Sequence, residues 1–577
     1  MCRVGRYEGM RLTTEARWLS CVAATLLAAD AVAVGTGAGM QLRIEARAIR
    51  PAHPLLIRNE HGALLKIDVA SGGTGGTDLQ AIQVDLGDTD DLNDLAEVQL
   101  FAAGPTDAFS PGRPLGKALK PARRLSFPIN TTLGTKVETF WLSARLKPGA
   151  DLSHRVAVRS VRLMTAAGQE ADVRISGSRQ RIGVALRRSQ DDGVHTHRIP
   201  VLATTPRGTL LSAYDLRRRA GRDLQEDIDI GLSRSTDGGR SWEPVRVIMD
   251  MGEYGGLPQS QNGCSDPGLI VDPTTGEIFC FAVWMNGKPG KHQWTDDGSE
   301  PGFEIGKSAQ LLRVRSTDDG KTWSKPENLT RILKRPEWWL LAPAPQQGIA
   351  LPDGTLVMPA QGRYGRAAIE TFSTILVSRD HGRNWTVGEP AFLGANECQA
   401  AMLSDGRVML NMRNDHDRFR AVAVTSDLGR KWSLHPTHRK ALIEPNCNGS
   451  LMGLDAEFEG RKRRVLVFSN PFSQVRRSHQ TLQVSFDDGN TWPPSHHWLL
   501  DEGRGAGYPS LTRVDRDHIG IVYEGSQSQL VFEKLPIHEL LVPHSQRDPR
   551  PSSSARVASL LPSTEPAGSD DRKQVRP

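Results

Sequence analysis

From about residue 41 to 185, apolar and polar residues alternate in short runs between turn signals. The segments 97–103 (EVQLFAA) and 136–146 (KVETFWLSARL) are examples, the second followed by Lys147-Pro148-Gly149. A period of two gives each run one face for a core and one for water, which marks a half-buried strand. The pattern predicts a β-sandwich over 41–185. Between 186 and 545, strand-like apolar runs such as 373–377 (STILV) and 421–424 (AVAV) are each followed by the same short unit. The segment 546–577 is rich in Pro, Ser and charge, a composition that predicts a disordered tail.

The recurring unit is Ser/Thr-x-Asp-x-Gly-x-x-Trp, and it occurs five times. The copies run Ser235 to Trp242, Ser316 to Trp323, Ser378 to Trp385, Thr425 to Trp432 and Ser485 to Trp492. Its residues suit a β-hairpin turn: Asp accepts from the turn backbone, Gly takes a positive φ, and Trp packs beneath. From Asp237 to Asp487 the chain covers 250 residues in four intervals, about 62 per unit. That length fits a four-stranded propeller blade with generous loops, so 186–545 would hold about six blades.

Composition narrows the class. The 577 residues are 38% hydrophobic and 24% charged, with 56 Gly, 36 Pro and 12 Trp, which excludes a disordered, collagen-like or multi-span membrane chain. A net charge of +6 is mild for this length and gives no reason to expect a nucleic-acid partner, though it is compatible with a small anionic substrate. The cysteines (Cys2, Cys21, Cys264, Cys280, Cys398 and Cys447) form no CxxC pair and read as isolated buried thiols. A Cys264–Cys280 bridge is the alternative if the protein is exported. Arg3, Arg6, Arg11 and Arg17 precede a mostly apolar run, 18–34, that contains Ala29-Asp30-Ala31. This order predicts a signal segment over 1–40 and export, and the run is too short and polar for a membrane span.

The five units resemble the Asp-box of the sialidase (neuraminidase) superfamily, and 45–545 resembles the bacterial exo-sialidases. The resemblance implies an all-β fold, a six-bladed β-propeller preceded by a β-sandwich, with the boxes away from the active site. It also implies a sialylated glycoconjugate as substrate and no cofactor. Sialic acid bears a carboxylate on its anomeric carbon, and planar, permanently charged guanidinium groups suit such an anion. The family uses three arginines. Their counterparts here are Arg198 in Arg198-Ile199-Pro200, Arg413 in 410–414 (LNMRN) and Arg477 in 476–481 (RRSHQT). A single arginine is more often a solvated surface charge, but these three fall in the family's order relative to the boxes. Adjacent Arg476 competes with Arg477 for the third position.

The same resemblance supplies the reacting groups. A carboxylate nucleophile would be repelled by the substrate's own carboxylate, and sialidases are a known exception that uses Tyr. Tyr508, in 501–512 (DEGRGAGYPSLT), resembles that nucleophile, and Glu397, in Asn396-Glu397-Cys398, resembles its base. Tyr523 in 522–526 (VYEGS) is the competing phenol and reads as structural. Asp223, in 221–227 (GRDLQED), resembles the acid/base, with Asp227 and Asp229 as rivals that strand alternation turns inward. Arg217 looks like the family's extra arginine near the sugar O4, and Asp266 like an acid on the N-acetyl side. His195 and His197 have metal-pair spacing, but no third ligand accompanies them and no metal is expected. The other readings are a non-catalytic Asp-box module, or an enzyme that transfers the sugar instead of hydrolysing it.

Overall fold

The computed structural model describes residues 44–547 except 73–75, 104–108, 225, 287–298 and 366–369. The expected signal segment at 1–40, and all but the first two residues of the expected tail at 546–577, lie outside the described residues. The chain is an all-β protein: a β-sandwich followed by a six-bladed β-propeller.

The sandwich pairs a six-stranded sheet with a four-stranded one. Strand Arg124–Leu133 shows why they stack: its residues are alternately exposed and buried. Leu125, Phe127 and Ile129 thus face Leu65, Ile67, Phe140 and Leu142 of the other sheet in a single core. That core also takes in Tyr214, Leu216 and Phe532 of the propeller, so the two parts share apolar packing.

Each blade is an antiparallel sheet. Blade 1 consists of Thr196–Thr204, Leu210–Arg217, Ile228–Ser235 and Arg246–Met249. Blade 2 is Asn262–Val271, Ile278–Asn286, Gln310–Ser316 and Glu327–Asn328; blade 3 is Trp338–Pro343, Leu356–Tyr364, Glu370–Ser378 and Thr386–Val387. Blade 4 is Ala395–Met402, Val408–Asn414, Ala421–Thr425 and Ser433–Leu434; blade 5 is Ser450–Phe458, Arg461–Pro471, Ser478–Ser485 and Trp498–Arg504. Blade 6 has three strands in sequence, Pro509–Arg513, His518–Tyr523 and Leu530–Pro536. Its fourth is Gln180–Arg187, from the N-terminal side of blade 1, which pairs Val184 with Phe532. This strand spans the 185/186 point at which the alternation suggests a division. Like the inner sandwich strands Gly62–Ser71 and Glu138–Leu146, it is buried along nearly its whole length, because it is covered on both faces.

The five boxes join the third and fourth strands of blades 1–5. Blade 6 borrows its fourth strand, so it has no such turn and no box. In the first box Asp237 Oδ1 accepts from Ser235 Oγ at 2.8 Å and from Ser241 N–H at 2.9 Å. Ser235 Oγ accepts from Gly239 N–H at 2.9 Å, and Trp242 Nε1 donates to Gly239 O at 3.1 Å. The other boxes repeat the Asp and Gly contacts, but Trp432 of the fourth donates to Glu389 O at 3.0 Å instead. The position before the box Gly also takes positive φ, at +67° for Asp319 and +57° for Leu428. Two successive left-handed residues match the twist of a tight hairpin.

A Cβ on Gly239 would sit 2.0 Å from Phe532 Cε1, where the first box meets blade 6. Gly239→Ala combines a left-handed Ala with overpacking and should cost about 2–4 kcal/mol, whereas Gly276→Ala, also left-handed but in open space, should cost about 1 kcal/mol. Thermal unfolding of both variants checks this, with the larger fall in midpoint expected for Gly239→Ala.

Candidate active site

In each complete blade the first strand starts, and the second strand ends, at one end of the propeller. The third strand ends at the other, where the boxes lie. Arg198, Asp266 and Glu397 lie near the starts of the first strands of blades 1, 2 and 4. Arg217 and Arg413 lie at the ends of the second strands of blades 1 and 4, and Tyr508 immediately precedes blade 6. Strand direction thus gathers them at the end opposite the boxes. Register shifts occur between Arg198 and Val201, Ser265 and Gly268, and Ala395 and Cys398. Bulges of this kind re-aim side chains beside functional sites. Two carry left-handed residues, Ile199 at φ +56° and Asp266 at φ +59°. For β-branched Ile199 this is real strain, held by its N–H donating to Glu524 Oε1 at 2.8 Å.

Tyr508, only 5% exposed, is the centre of the site. Its hydroxyl donates to Glu397 Oε1 at 2.6 Å. Arg413 Nη1 donates to the same phenol oxygen at 3.0 Å and to Glu397 Oε2 at 2.7 Å, while its Nε donates to Asn446 Oδ1. The guanidinium carbons of Arg198 and Arg477 lie 5.3 and 5.4 Å from the centre of the Tyr508 ring. Arg198 is held by a fork to Glu524 at 2.8 and 3.1 Å, and Arg477 donates to Ala506 O and Asn446 O, each at 3.1 Å. Burial pushes the Tyr508 hydroxyl well above its ordinary range, and the Glu397 charge adds to this against the opposing pull of Arg413 and Arg477. Burial alone would weaken the charge on Arg198, but the Glu524 carboxylate more than offsets it.

A second group adjoins the first. Arg217 Nη2 lies 2.5 Å from Asp223 Oδ1 and 3.0 Å from Asp215 Oδ2. Asp266 N–H donates to Asp215 Oδ1 at 3.1 Å, and Gln361 Nε2 approaches Asp266 Oδ2 at 3.5 Å. Burial lifts the Asp266 carboxyl well above the carboxylate range, reinforced by the negative charges of Asp215, Glu397 and Asp223. Burial lifts Asp215 to about 6, against the pull of Arg217 and Ser265.

All eight expected positions therefore fall at one end of the propeller, in these two linked groups. Arg476 is exposed and turned away, whereas its neighbour Arg477 is the one beside Tyr508. Tyr523 is buried elsewhere and donates to Glu533 Oε1 at 3.0 Å. Asp229 accepts from Arg218 Nη2 at 2.6 Å, and Asp227 Oδ1 accepts from Gln259 at 2.9 Å. His195 Nδ1 lies 2.7 Å from Thr196 Oγ1, and His197 packs against the Tyr214 ring beside Gln529. Among the described residues no three His, Cys, Asp or Glu side chains could hold a metal together. Cys264 and Cys280 are both free and buried, each within blade 2, so the alternative of a bridge between them is not realised.

Sequence reasoning missed Glu524, Asp215, Asn446 and Arg363. Glu524 directly follows Tyr523 and ends the apolar run 519–523; an acid at the end of a buried strand is a signal that it meets a cation. Arg363 is recruited from blade 3, where its guanidinium carbon lies 5.6 Å from the centre of the Trp339 ring.

Comparison with known proteins adds the chain's relationships. The family model described as a BNR repeat-like domain matches residues 208–521, and the N-terminal domain of BNR-repeat neuraminidase matches 42–169. A sialidase from Bacteroides fragilis (strain YCH46) is 36% identical over 482 residues, covering 81% of this chain and 88% of that protein. A sialidase from Micromonospora viridifaciens is 35% identical over 344 residues, covering 58% of this chain and 50% of that one. Among solved structures, Hadza microbial sialidase Hz136 superposes with a TM-score of 0.78 at 35% identity, covering 85% of this chain and 99% of that one.

The Arg198–Glu524 fork gives a direct test of the geometry. Glu524→Ala leaves a buried guanidinium without its anion and should cost about 3–5 kcal/mol. Glu524→Gln, which keeps one acceptor oxygen for either Ile199 N–H or Tyr508 N–H, should cost less. Thermal unfolding of the two variants checks the order, and a Gln variant as unstable as Ala would contradict it.

Proposed function

The chain belongs to the BNR-repeat sialidase family, and from that premise we propose a retaining exo-α-sialidase that hydrolyses terminal sialic acid from glycoproteins, glycolipids and oligosaccharides. The observation that carries the mechanism is the 2.6 Å contact between the Tyr508 hydroxyl and Glu397, set among three guanidinium groups. Arg198, Arg413 and Arg477 receive the substrate carboxylate. Their donors are fixed in advance by protein partners, so little reorganisation accompanies binding.

Asp223 gives its proton to the leaving glycosidic oxygen as the bond to the anomeric carbon breaks. The Tyr508 oxygen attacks that carbon while Glu397 takes the phenolic proton. Burial keeps the free phenol protonated, so it needs this base. The result is a tyrosyl-sialoside. Water then attacks the same carbon, its proton passes to the Asp223 carboxylate, and Glu397 returns a proton to Tyr508. Two displacements retain the anomeric configuration. Arg217 faces the sugar O4, and Asp266, whose carboxyl burial holds well above the carboxylate range, faces the N-acyl group.

A fluorogenic α-sialoside followed by NMR of the first-formed anomer tests the retaining route. A 3-fluoro-substituted sialyl fluoride should slow breakdown of the intermediate and leave its mass on the peptide that contains Tyr508. Label on the Tyr523 peptide, or an inverted first product, would refute the assignment.

The carboxylate clamp makes a second demand. Arg477→Ala should lower kcat/KM by about 2–5 kcal/mol of transition-state stabilisation, and Arg476→Ala by well under 1 kcal/mol. Steady-state kinetics of the two variants decides between the neighbours.

A further inference from the structure

Asp215 lies beneath the Arg217–Asp223 pair with its side chain wholly buried. It sits two residues before Arg217 on Leu210–Arg217, so both side chains leave the same face of the strand. Its Oδ2 accepts from Arg217 Nε at 3.2 Å, Arg217 Nη2 at 3.0 Å and Ser265 Oγ at 2.7 Å. Its Oδ1 accepts from Asp266 N–H at 3.1 Å, inside the bulge that holds Asp266 at φ +59°. The guanidinium so braced reaches Asp223 at 2.5 Å and donates through Nη1 to Gly221 O at 2.9 Å. One carboxylate thereby holds three others' surroundings: those of Arg217, of Asp266 and, through Arg217, of Asp223.

We infer that Asp215 is a positioning residue for the reaction proposed above, bracing Arg217 and Asp266 and sharing the Arg217 charge so that Asp223 can keep the proton it must deliver. The inference rests on Asp223 being the general acid. The charged groups around the unit are Arg198 from Thr196–Thr204 and Arg217 and Asp223 from Leu210–Arg217 and its following loop. From Asn262–Val271 come Asp266 and the neutral thiol of Cys264, Glu397 of Ala395–Met402 acts on Asp266, and Arg363 of Leu356–Tyr364 lies beyond it. Asp229 on Ile228–Ser235 is occupied by Arg218.

The sign of the effect follows. Without the Asp215 charge, Arg217 acts on Asp223 alone and a nearby anion is gone, and both changes favour ionised Asp223. The acid then loses its proton at lower pH, and the high-pH limb of kcat/KM moves down. A substrate with an activated aryl leaving group does not need that proton, so its limb should move much less.

The experiment is the pH dependence of kcat/KM for Asp215→Asn on sialyllactose and on an aryl sialoside, alongside thermal unfolding. The expected result is a sialyllactose high-pH limb lowered by about one pH unit, a loss of about tenfold above it, with the aryl limb moved by less than half as much. Profiles that overlay those of wild type after uniform scaling would overturn the inference and leave Asp215 a purely structural residue. Should the single variant not fold, Asp215→Asn combined with Arg217→Gln removes both buried charges. Its limb should then move up, because Asp223 has lost its cation, and an unmoved limb would overturn the inference. A wild-type enzyme that releases sialic acid with the same limb on both substrates would instead remove Asp223 as the acid, and the inference with it. Wild-type protein inactive on both substrates would overturn the proposed function itself.

Discussion

Three guanidinium groups packed around one buried phenol are the constraint that the rest of this structure answers. Like charges held this close, out of water, would drive the ends of the strands apart unless anions were fixed among them. Glu524 answers Arg198 with a two-point fork, and Glu397 answers Arg413 while accepting from Tyr508. Arg477 has backbone carbonyls as partners, so its charge is the one least neutralised by acids. The cluster around Tyr508 therefore holds one more guanidinium than carboxylate before any ligand arrives, and its geometry is held by the protein.

The backbone accommodates this by leaving regular pairing at the ends of its inner strands. A propeller blade continued without interruption would send alternate side chains toward its neighbours. The shifts at Arg198, Ser265 and Ala395 turn residues of three blades toward a common centre. The strain at Ile199 is held in place by Glu524, the same acid that clamps Arg198 and accepts Tyr508 N–H at 3.1 Å. Side-chain charge and backbone distortion are thus coupled at a single residue.

Ring closure links the site to the sandwich. The strand that completes blade 6 emerges from the sandwich, and Arg181 on it meets the wholly buried Glu533 at 2.5 Å. Arg155 and Glu539 form a further ion pair between the two parts, also at 2.5 Å. Since Tyr508 enters blade 6 and Arg198 enters blade 1, the seam between the first and last blades runs beneath the site. The N-terminal domain therefore helps hold the seam at which Arg198 and Tyr508 meet.

Much of this was legible in the sequence, because the box is a local device. Its turn bonds span four residues, so the motif reports the hairpin wherever it occurs, and five copies at an average of about 62 residues imply a propeller. The alternation over 41–185 likewise marks strands, but not their cover: Arg124–Leu133 alternates between exposed and buried, whereas Glu138–Leu146, within the run 136–146, is covered on both faces. The eight candidate positions, which the fold gathers at one end of the propeller, stand out through short motifs resembling a family, in which residue type and order carry the information. Those motifs favour Arg477 with adjacent Arg476 as its competitor, and the fold separates the two, because in the bend before Ser478 only Arg477 lies against the Tyr508 ring. Sequence could not show that blade 6 closes with Gln180–Arg187, a pairing across more than 340 residues. Glu524, Asp215 and Arg363 escaped for the same reason. A buried charge is defined by the partner it meets: Glu524 meets Arg198 of another blade, and Asp215, though paired with Arg217 on its own strand, also meets Ser265 and Asp266 of the next blade, so only the tertiary structure brings these groups together.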